Sequence, residues 1–381
     1  MTTTTKTTDA FIANLEIEED FPFRVEELEA KAKEKMSKNA FGYTRSGGGG
    51  EETLRKNIAS FEKYSIVPQY LNDVSNVDTT IELFGHTYRH PFLLAPIGML
   101  KTTHEEAELA VAKAAAKLDV PYIQSTVSSY SIEEVKEVSG NSPKWFQLYW
   151  SNNEAISFNM VKRAEEAGYQ AIVLTVDTTM FGWREEDMSN RFSPLKAGYG
   201  KANYITDEVF RSTLKQDDEA SVVEEILQNI YHPTLSWKHV AELKKRTSLP
   251  ILLKGILHPT DARLAIESGV DGIIVSNHGG RQLDGVISSI DALPAILEEA
   301  GGEVPILIDS GIRRGADVVK ALVLGADAVL LGRPYAYGLA LGGQAGVEKV
   351  LTNFIQQSRS SLALAGASSV KAARNIHIVK D

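Results

Sequence analysis

Eight short apolar runs alternate with amphipathic segments from about residue 92 onward, and seven of the runs finish on or near a polar or charged residue. With glycines or short polar turns at the helix-to-strand boundaries, these observations predict an α/β chain folded as a (β/α)8 TIM barrel rather than an open doubly wound sheet. The polar endings are Gln124, Gln147, Asp177, Lys254, His278, Asp309 and Arg333. Strands buried on both faces have no structural need for such residues. In a barrel the C-terminal strand ends converge on one face, where active sites are built.

Residues 1–91 precede the first run and read as a tail and cap segment. MTTTTKTTDAF is polar and lacks the apolar stretch of a signal peptide, so the opening threonines are expected to be a disordered tail and the protein to be soluble and cytoplasmic. Helices are expected at about Val25–Met36 and Glu51–Lys63, and a hairpin near Thr79–Tyr88. The predicted strands are Phe92–Pro96, Tyr122–Thr126, Trp145–Tyr149, Ala171–Asp177, Ile251–Gly255, Gly272–Gly279, Ile306–Gly311 and Ala328–Arg333. Segments such as EEAELAVAKAAAKL, ISFNMVKRAEEAG and RRGADVVKALVLGA have the spacing of the intervening helices. One interval breaks the rhythm: Asp177 and Ile251 are separated by a single barrel helix, about SWKHVAELKKRTS, and a long insertion at about 178–235. A loop of that length on the active-site face usually serves as a lid or an oligomer contact. Residues 92–381 therefore read as one barrel domain with a lid, since such barrels exceed 250 residues without dividing.

Charge and composition exclude several classes. Lys and Arg number 40 against 50 Asp and Glu, a net charge of −10 that disfavours general nucleic-acid or anionic-membrane binding. No apolar stretch approaches the ~18 residues of a membrane span. The absence of cysteine removes disulfides, thiolate catalysis and Cys-ligated metal centres, and no metal site is expected.

SNHGGRQLDG (Ser276–Gly285) carries the most chemistry. A buried strand runs directly into Asn-His-Gly-Gly-Arg, which puts the His278 imidazole and the Arg281 guanidinium together at a glycine-rich turn. The first can take a proton near neutral pH, and the second can hold a carboxylate through paired hydrogen bonds. A lone histidine is commonly structural and a lone arginine commonly solvated; the pairing after a buried strand favours a site. IDSGIRRGADV and LLGRP follow the seventh and eighth strands, the corner where barrels bind phosphate on glycine-rich backbone and a helix N-terminus. The residues alone leave open whether that phosphate belongs to a cofactor or a substrate. A barrel acting on a phosphorylated metabolite uses the same corner but gives Arg184 and Lys254 no joint role.

Ordered motifs from YTRSGGGGEETLRKNIASF (Tyr43–Phe61) through SNHGGRQLDG to GRPYAYGLALGG (Gly332–Gly343) resemble the FMN-dependent α-hydroxy acid oxidases and dehydrogenases over most of the chain. The resemblance implies an FMN-binding barrel, in a homotetramer, that oxidises a small L-2-hydroxy acid with O2 as acceptor. Within the family the chain is most similar to the lactate 2-monooxygenases, with the lactate oxidases next. Oxidative decarboxylation of L-lactate to acetate, CO2 and water is therefore expected, with pyruvate and hydrogen peroxide as the alternative.

The resemblance also assigns residues. His278 corresponds to the active-site base and Asp177 to its supporting carboxylate. Arg184, Arg281, Tyr43 and Tyr149 correspond to the substrate-binding set. Pro96, Ile97 and Gly98 resemble the segment along the flavin ring, and Ser125, Gln147 and Thr175 the groups at its edge. Lys254 resembles the lysine that stabilises negative charge on the reduced ring, and Ser276 a further contact. Asp309, Ser310, Gly311, Arg313, Gly332 and Arg333 make up the corner for the FMN phosphate. Three departures stand out. Gly50 replaces the family's usual Asp, so SGGGGEET is expected to be a mobile loop behind Tyr43. Gly98 replaces an oxidase-type Ala and is expected to leave room in the pocket. The insertion resembles the monooxygenase lid.

Overall fold

β1 (Phe92–Leu94), β2 (Tyr122–Ser125), β3 (Lys144–Leu148), β4 (Ile172–Thr175), β5 (Ile251–Ile256), β6 (Gly272–Val275), β7 (Ile306–Ile308) and β8 (Ala328–Leu331) pair in parallel, each with the next. β8 pairs back onto β1, Val329 opposite Phe92, and closes the expected (β/α)8 barrel. The computed structural model describes residues 21–381; the threonine-rich tail lies outside the described residues. The strands are short, mostly aliphatic or aromatic and buried on both faces, which is why they read as largely apolar runs. Phe146, Val173, Leu252 and Ile273 have no exposed surface, and each such side chain contributes roughly 1.5–3 kcal/mol by burial.

Gln124, Gln147 and Lys254 stay in the ladder, but several strands stop before the polar residue expected at their end. β4 stops before Asp177, β6 before His278, β7 before Asp309 and β8 before Arg333. Leaving the pleat frees these side chains from strict alternation and lets them turn towards the barrel mouth. Gly255 makes one such arrangement possible. It sits at φ +112°, where the β5–β6 register is irregular, and a Cβ there would lie 2.7 Å from Asp177 Cβ.

Helices Ala107–Leu118, Ile132–Ser139, Glu154–Glu166, Trp237–Lys244, Pro259–Glu267, Ser289–Ala300, Gly315–Leu324 and Arg333–Ala365 follow β1 to β8 in turn. The last is interrupted at Gly342 and Gly343. The 178–235 insertion folds into four short helices: Glu185–Ser189, Ala202–Ile205, Glu208–Thr213 and Glu219–Asn229. It is built onto the barrel. The buried Asn203 amide donates to the Ser125 and Thr126 carbonyls (3.2 and 3.0 Å) and accepts from Ile132 N (2.9 Å). Arg163 ties Asp207 to Glu133.

The expected cap elements are present as helices Val25–Lys35 and Glu52–Ala59, the latter continued by a 3-10 turn over Ser60–Lys63, and as the hairpin Ile81–Leu83 and His86–Tyr88. Two further elements had not been foreseen. Helix Lys38–Arg45 carries Tyr43, and Tyr64–Val67 pairs antiparallel with His377–Lys380. Among the described residues no helix is long and apolar enough to cross a membrane.

Candidate active site

A cavity opens at the C-terminal end of the strands. His278 lies in its wall, at the start of a 3-10 turn, His278–Gly280, that follows β6. Its backbone is left-handed, φ 59°, which is costly for a non-glycine residue and persists only where the surroundings hold it. Three hydrogen bonds do so: His278 N donates to Ser276 Oγ, Gly280 N to Asn277 Oδ1 and Gly279 N to Ser310 Oγ, each 3.0 Å.

His278 Nδ1 lies 2.8 Å from Asp177 Oδ1, and Nε2 lies 3.4 Å from the Tyr149 hydroxyl. Burial lowers the His278 pKa below its usual 6.5 although Asp177 pulls the other way. Burial alone would raise the Asp177 pKa, but the charge and hydrogen bond of His278, with Lys254, hold it below 3.8. The pair is thus poised as neutral imidazole beside carboxylate. Nδ1 faces the Asp177 carboxylate, which favours a proton on that nitrogen, and Nε2, beside the Tyr149 hydroxyl, can take a proton from the cavity side.

Arg281 and Arg184 approach the same tyrosine ring, their guanidinium carbons 4.9 and 6.0 Å from the Tyr43 centroid. Arg281 Nη1 donates to the Ser46 carbonyl (2.6 Å), and Arg184 Nε to the Arg281 carbonyl (3.3 Å). Burial, reinforced by the charge of Arg184, pushes the Arg281 pKa down to about 9. Arg184 has a distant partner in Asp187 at 3.8 Å. Among the described residues no carboxylate lies within ion-pair distance of Arg281. A buried and a half-buried cation so placed are suited to one small carboxylate, held by charge-assisted hydrogen bonds.

The opposite end of the cavity is also cationic. Arg313, Arg333, Asp309, Ser310, Gly311 and Gly332 line it. Burial pushes Arg333 down to about 10 and lowers Arg313 as well. Both are satisfied by carbonyls, Arg333 by those of Thr44, Ser46 and Gly279, and neither forms an ion pair among the described residues. Lys254 Nζ lies 3.1 Å from Asp309 and donates to Ser276 Oγ (2.9 Å).

Pro96, Ile97 and Gly98 line another wall with Tyr149 and Lys254. Ser125, Gln147 and Thr175 stand behind the lining with Ser276 and Asp177. Ser125 Oγ donates to Gln147 Oε1, and Gln147 Nε2 to Thr175 Oγ1, both at 3.0 Å and both buried. All of the site residues expected from sequence therefore lie in one cavity wall or directly behind it.

Two departures take a different form from the one expected. A Cβ at position 98 would overlap Val127 Cγ2, so Val127 takes the space that the missing methyl was expected to leave open. The glycine loop behind Tyr43 is tied down. Gly48 N donates to the Gly280 carbonyl and Gly49 N to the Trp183 carbonyl, both at 2.7 Å. Asp284, within the signature loop, accepts from Glu52 N and Thr53 N (3.2 and 2.8 Å) and caps helix Glu52–Ala59 from across the site. Thr44 and Val127 line the cavity too; nothing in their residue type distinguished them from ordinary packing.

The profile of the FMN-dependent dehydrogenase family matches residues 32–380. An L-lactate oxidase of Lysinibacillus sphaericus (strain C3-41) is 59% identical over 379 residues, spanning 100% of this chain and 98% of that protein. A peroxisomal (S)-2-hydroxy-acid oxidase of Oryza sativa subsp. japonica is 40% identical over 365 residues, 96% of this chain and 98% of that one. Among solved structures, mandelate oxidase superposes with a TM-score of 0.85 at 39% identity, covering 94% of this chain and 98% of the other.

Proposed function

The chain belongs to the FMN-dependent dehydrogenase family, with FMN as its cofactor, and from that premise we propose that it oxidises L-lactate to pyruvate with O2 as acceptor, releasing hydrogen peroxide. The residues present fit the cofactor. Arg313 is buried and Arg333 half-buried, neither has a carboxylate partner among the described residues, and beside them a Cβ on Gly332 would meet nothing within 4 Å. That corner suits a phosphate, Lys254, paired with Asp309, lines the cavity where it can balance negative charge on a ring, and Ile97 and Gly98 form part of the wall.

One observation carries the reading: the His278–Asp177 pair presents Nε2, beside the Tyr149 hydroxyl, to a cavity that also holds Arg281, which has no carboxylate partner among the described residues. The substrate carboxylate binds between Arg281 and Arg184, beside the Tyr43 ring. His278 takes a proton from the 2-hydroxy acid as it loses two electrons, and Asp177 stabilises the resulting imidazolium. Tyr149 lies within reach of the same nitrogen and orients the hydroxyl. FMN, when bound, would supply the acceptor for the two electrons and the remaining proton, and the route by which they reach O2.

The oxidase outcome is favoured by Val127, which fills the space beside Gly98, and by full-length similarity to a protein named L-lactate oxidase. Gly98 itself and the insertion favour the monooxygenase outcome as the second reading. Aerobic turnover of L-lactate with pyruvate, acetate and peroxide quantified decides between them. Pyruvate and peroxide in equal amounts support the oxidase, and predominant acetate overturns it.

We read residues 92–381 as the FMN-binding barrel, 1–91 as its tail and cap, and 178–235 as its lid. Met180, Phe181, Trp183 and Leu283, all more than half exposed, are apolar surface suited to a homotetramer contact; light scattering on the purified protein tests that assembly.

A further inference from the structure

We propose that Asn57, on the cap helix Glu52–Ala59, is a positioning residue that holds the turn carrying His278 through a reciprocal amide pair with Asn277. The inference rests on His278 being the base.

Asn57 Nδ2 donates to Asn277 Oδ1, and Asn277 Nδ2 donates back to Asn57 Oδ1, both at 2.7 Å. The two side chains are buried, at 2% and 6% exposure. Asn277 uses its whole hydrogen-bonding capacity there. Its second N–H goes to the Ile287 carbonyl (3.1 Å), and its oxygen also accepts from Gly280 N (3.0 Å), capping the turn His278–Gly280.

An isolated asparagine amide can rotate by a half turn at little cost. This one cannot: rotation would set its NH2 against Gly280 N–H and its oxygen against the Ile287 carbonyl. Asn57 supplies the second donor to Asn277 Oδ1 and the second acceptor for its Nδ2, so two of the four hydrogen bonds that hold the buried Asn277 amide in place come from Asn57. That orientation matters because His278 is held at φ 59°, a conformation that depends on its turn. Asn57 does not line the cavity and acts only through Asn277. Arg281, next in the chain, has its own anchors in the Ser46 carbonyl and the Tyr43 ring. Disturbing the amide pair should therefore misplace the base and spare the carboxylate grip.

The test uses the FMN-loaded protein. Asn57→Leu, and Asn57→Ser in case the first variant folds poorly, are compared with the parent by anaerobic flavin reduction, lactate KM, FMN affinity and melting temperature. The expected result is a fall of about tenfold or more in the reduction rate, with KM and FMN affinity within about threefold. In an Asn277→Leu background, Asn57→Leu should change the rate by less than about twofold. Reduction within about threefold of the parent overturns the proposal. So does a loss confined to melting temperature and FMN affinity, or additive effects of the two substitutions. His278→Gln separates the two failures. If it leaves reduction intact, the base assignment falls; if it abolishes reduction while Asn57→Leu does not slow it, only the positioning role falls.

Discussion

Replacing Asp177 by Asn tests the proton-transfer step with little change in shape. Asp177 Oδ1 lies 2.8 Å from His278 Nδ1 and accepts from Thr178 Oγ1 at the same distance. Both contacts stay available to an amide oxygen, so the substitution removes charge and keeps the imidazole oriented. For charge centres roughly 4 Å apart at an effective dielectric of about 20, the attraction between imidazolium and carboxylate is about 4 kcal/mol. The amide keeps about 1 kcal/mol of it as a neutral hydrogen bond. About 3 kcal/mol of stabilisation is lost, all of it after His278 has gained its proton, which corresponds to a rate loss of roughly 10². The ground state holds neutral imidazole, since burial keeps the His278 pKa below 6.5, so substrate binding should change by less than about threefold. Stopped-flow absorbance of flavin reduction by L-lactate under anaerobic conditions measures both quantities. Losing Asp177 also removes an influence that raises the His278 pKa, so the acid limb of the pH profile should move to lower pH. A rate loss under about fivefold would refute the reasoning, because it would mean that no imidazolium forms beside Asp177.

Three further outcomes follow from the same geometry. Arg281→Met removes one proposed partner of the substrate carboxylate and should raise lactate KM by about 10- to 100-fold in steady-state assays, with FMN retained. Arg333→Met should weaken FMN binding by a similar factor while leaving riboflavin, which lacks the phosphate, within about threefold; equal losses for both ligands would move the phosphate site elsewhere. Glu108 lies behind the cavity wall and accepts from Leu100 N and Ser129 N (3.2 and 3.0 Å); burial raises its pKa from 4.5 to about 7. Because the folded value is raised, this group's contribution to stability is complete below pH 4.5 and is lost as pH rises to about 7, by about 3 kcal/mol. The melting temperature of the parent should therefore fall relative to Glu108→Gln across that window, and parallel curves would discard the assignment.

Local chemistry decided what could be read from the chain alone. The eight barrel strands are legible because burial on both faces demands largely apolar runs, and the long β4-to-β5 interval shows as a break in their spacing. His278, Arg281, Asp177 and the phosphate-corner arginines stand out because charged residues at the ends of buried strands have no packing purpose. Helix Lys38–Arg45 was missed because eight residues containing glycine and two aromatics carry little helical signal. The Tyr64–Val67 strand was missed because its partner, His377–Lys380, lies at the far end of the chain and most of the residues of the two are exposed or half-buried.

Only the tertiary structure decided three matters near the cavity: that Val127 fills the gap beside Gly98, that Asp284 caps the cap helix, and that Asn57 and Asn277 pair. Each joins residues whose types suggest nothing special and whose separation depends on how whole elements pack. Periodicity and motif reveal which way a side chain faces and what chemistry it carries. The distance between two elements is set by the closure of the barrel, and that is a property of all eight strands at once.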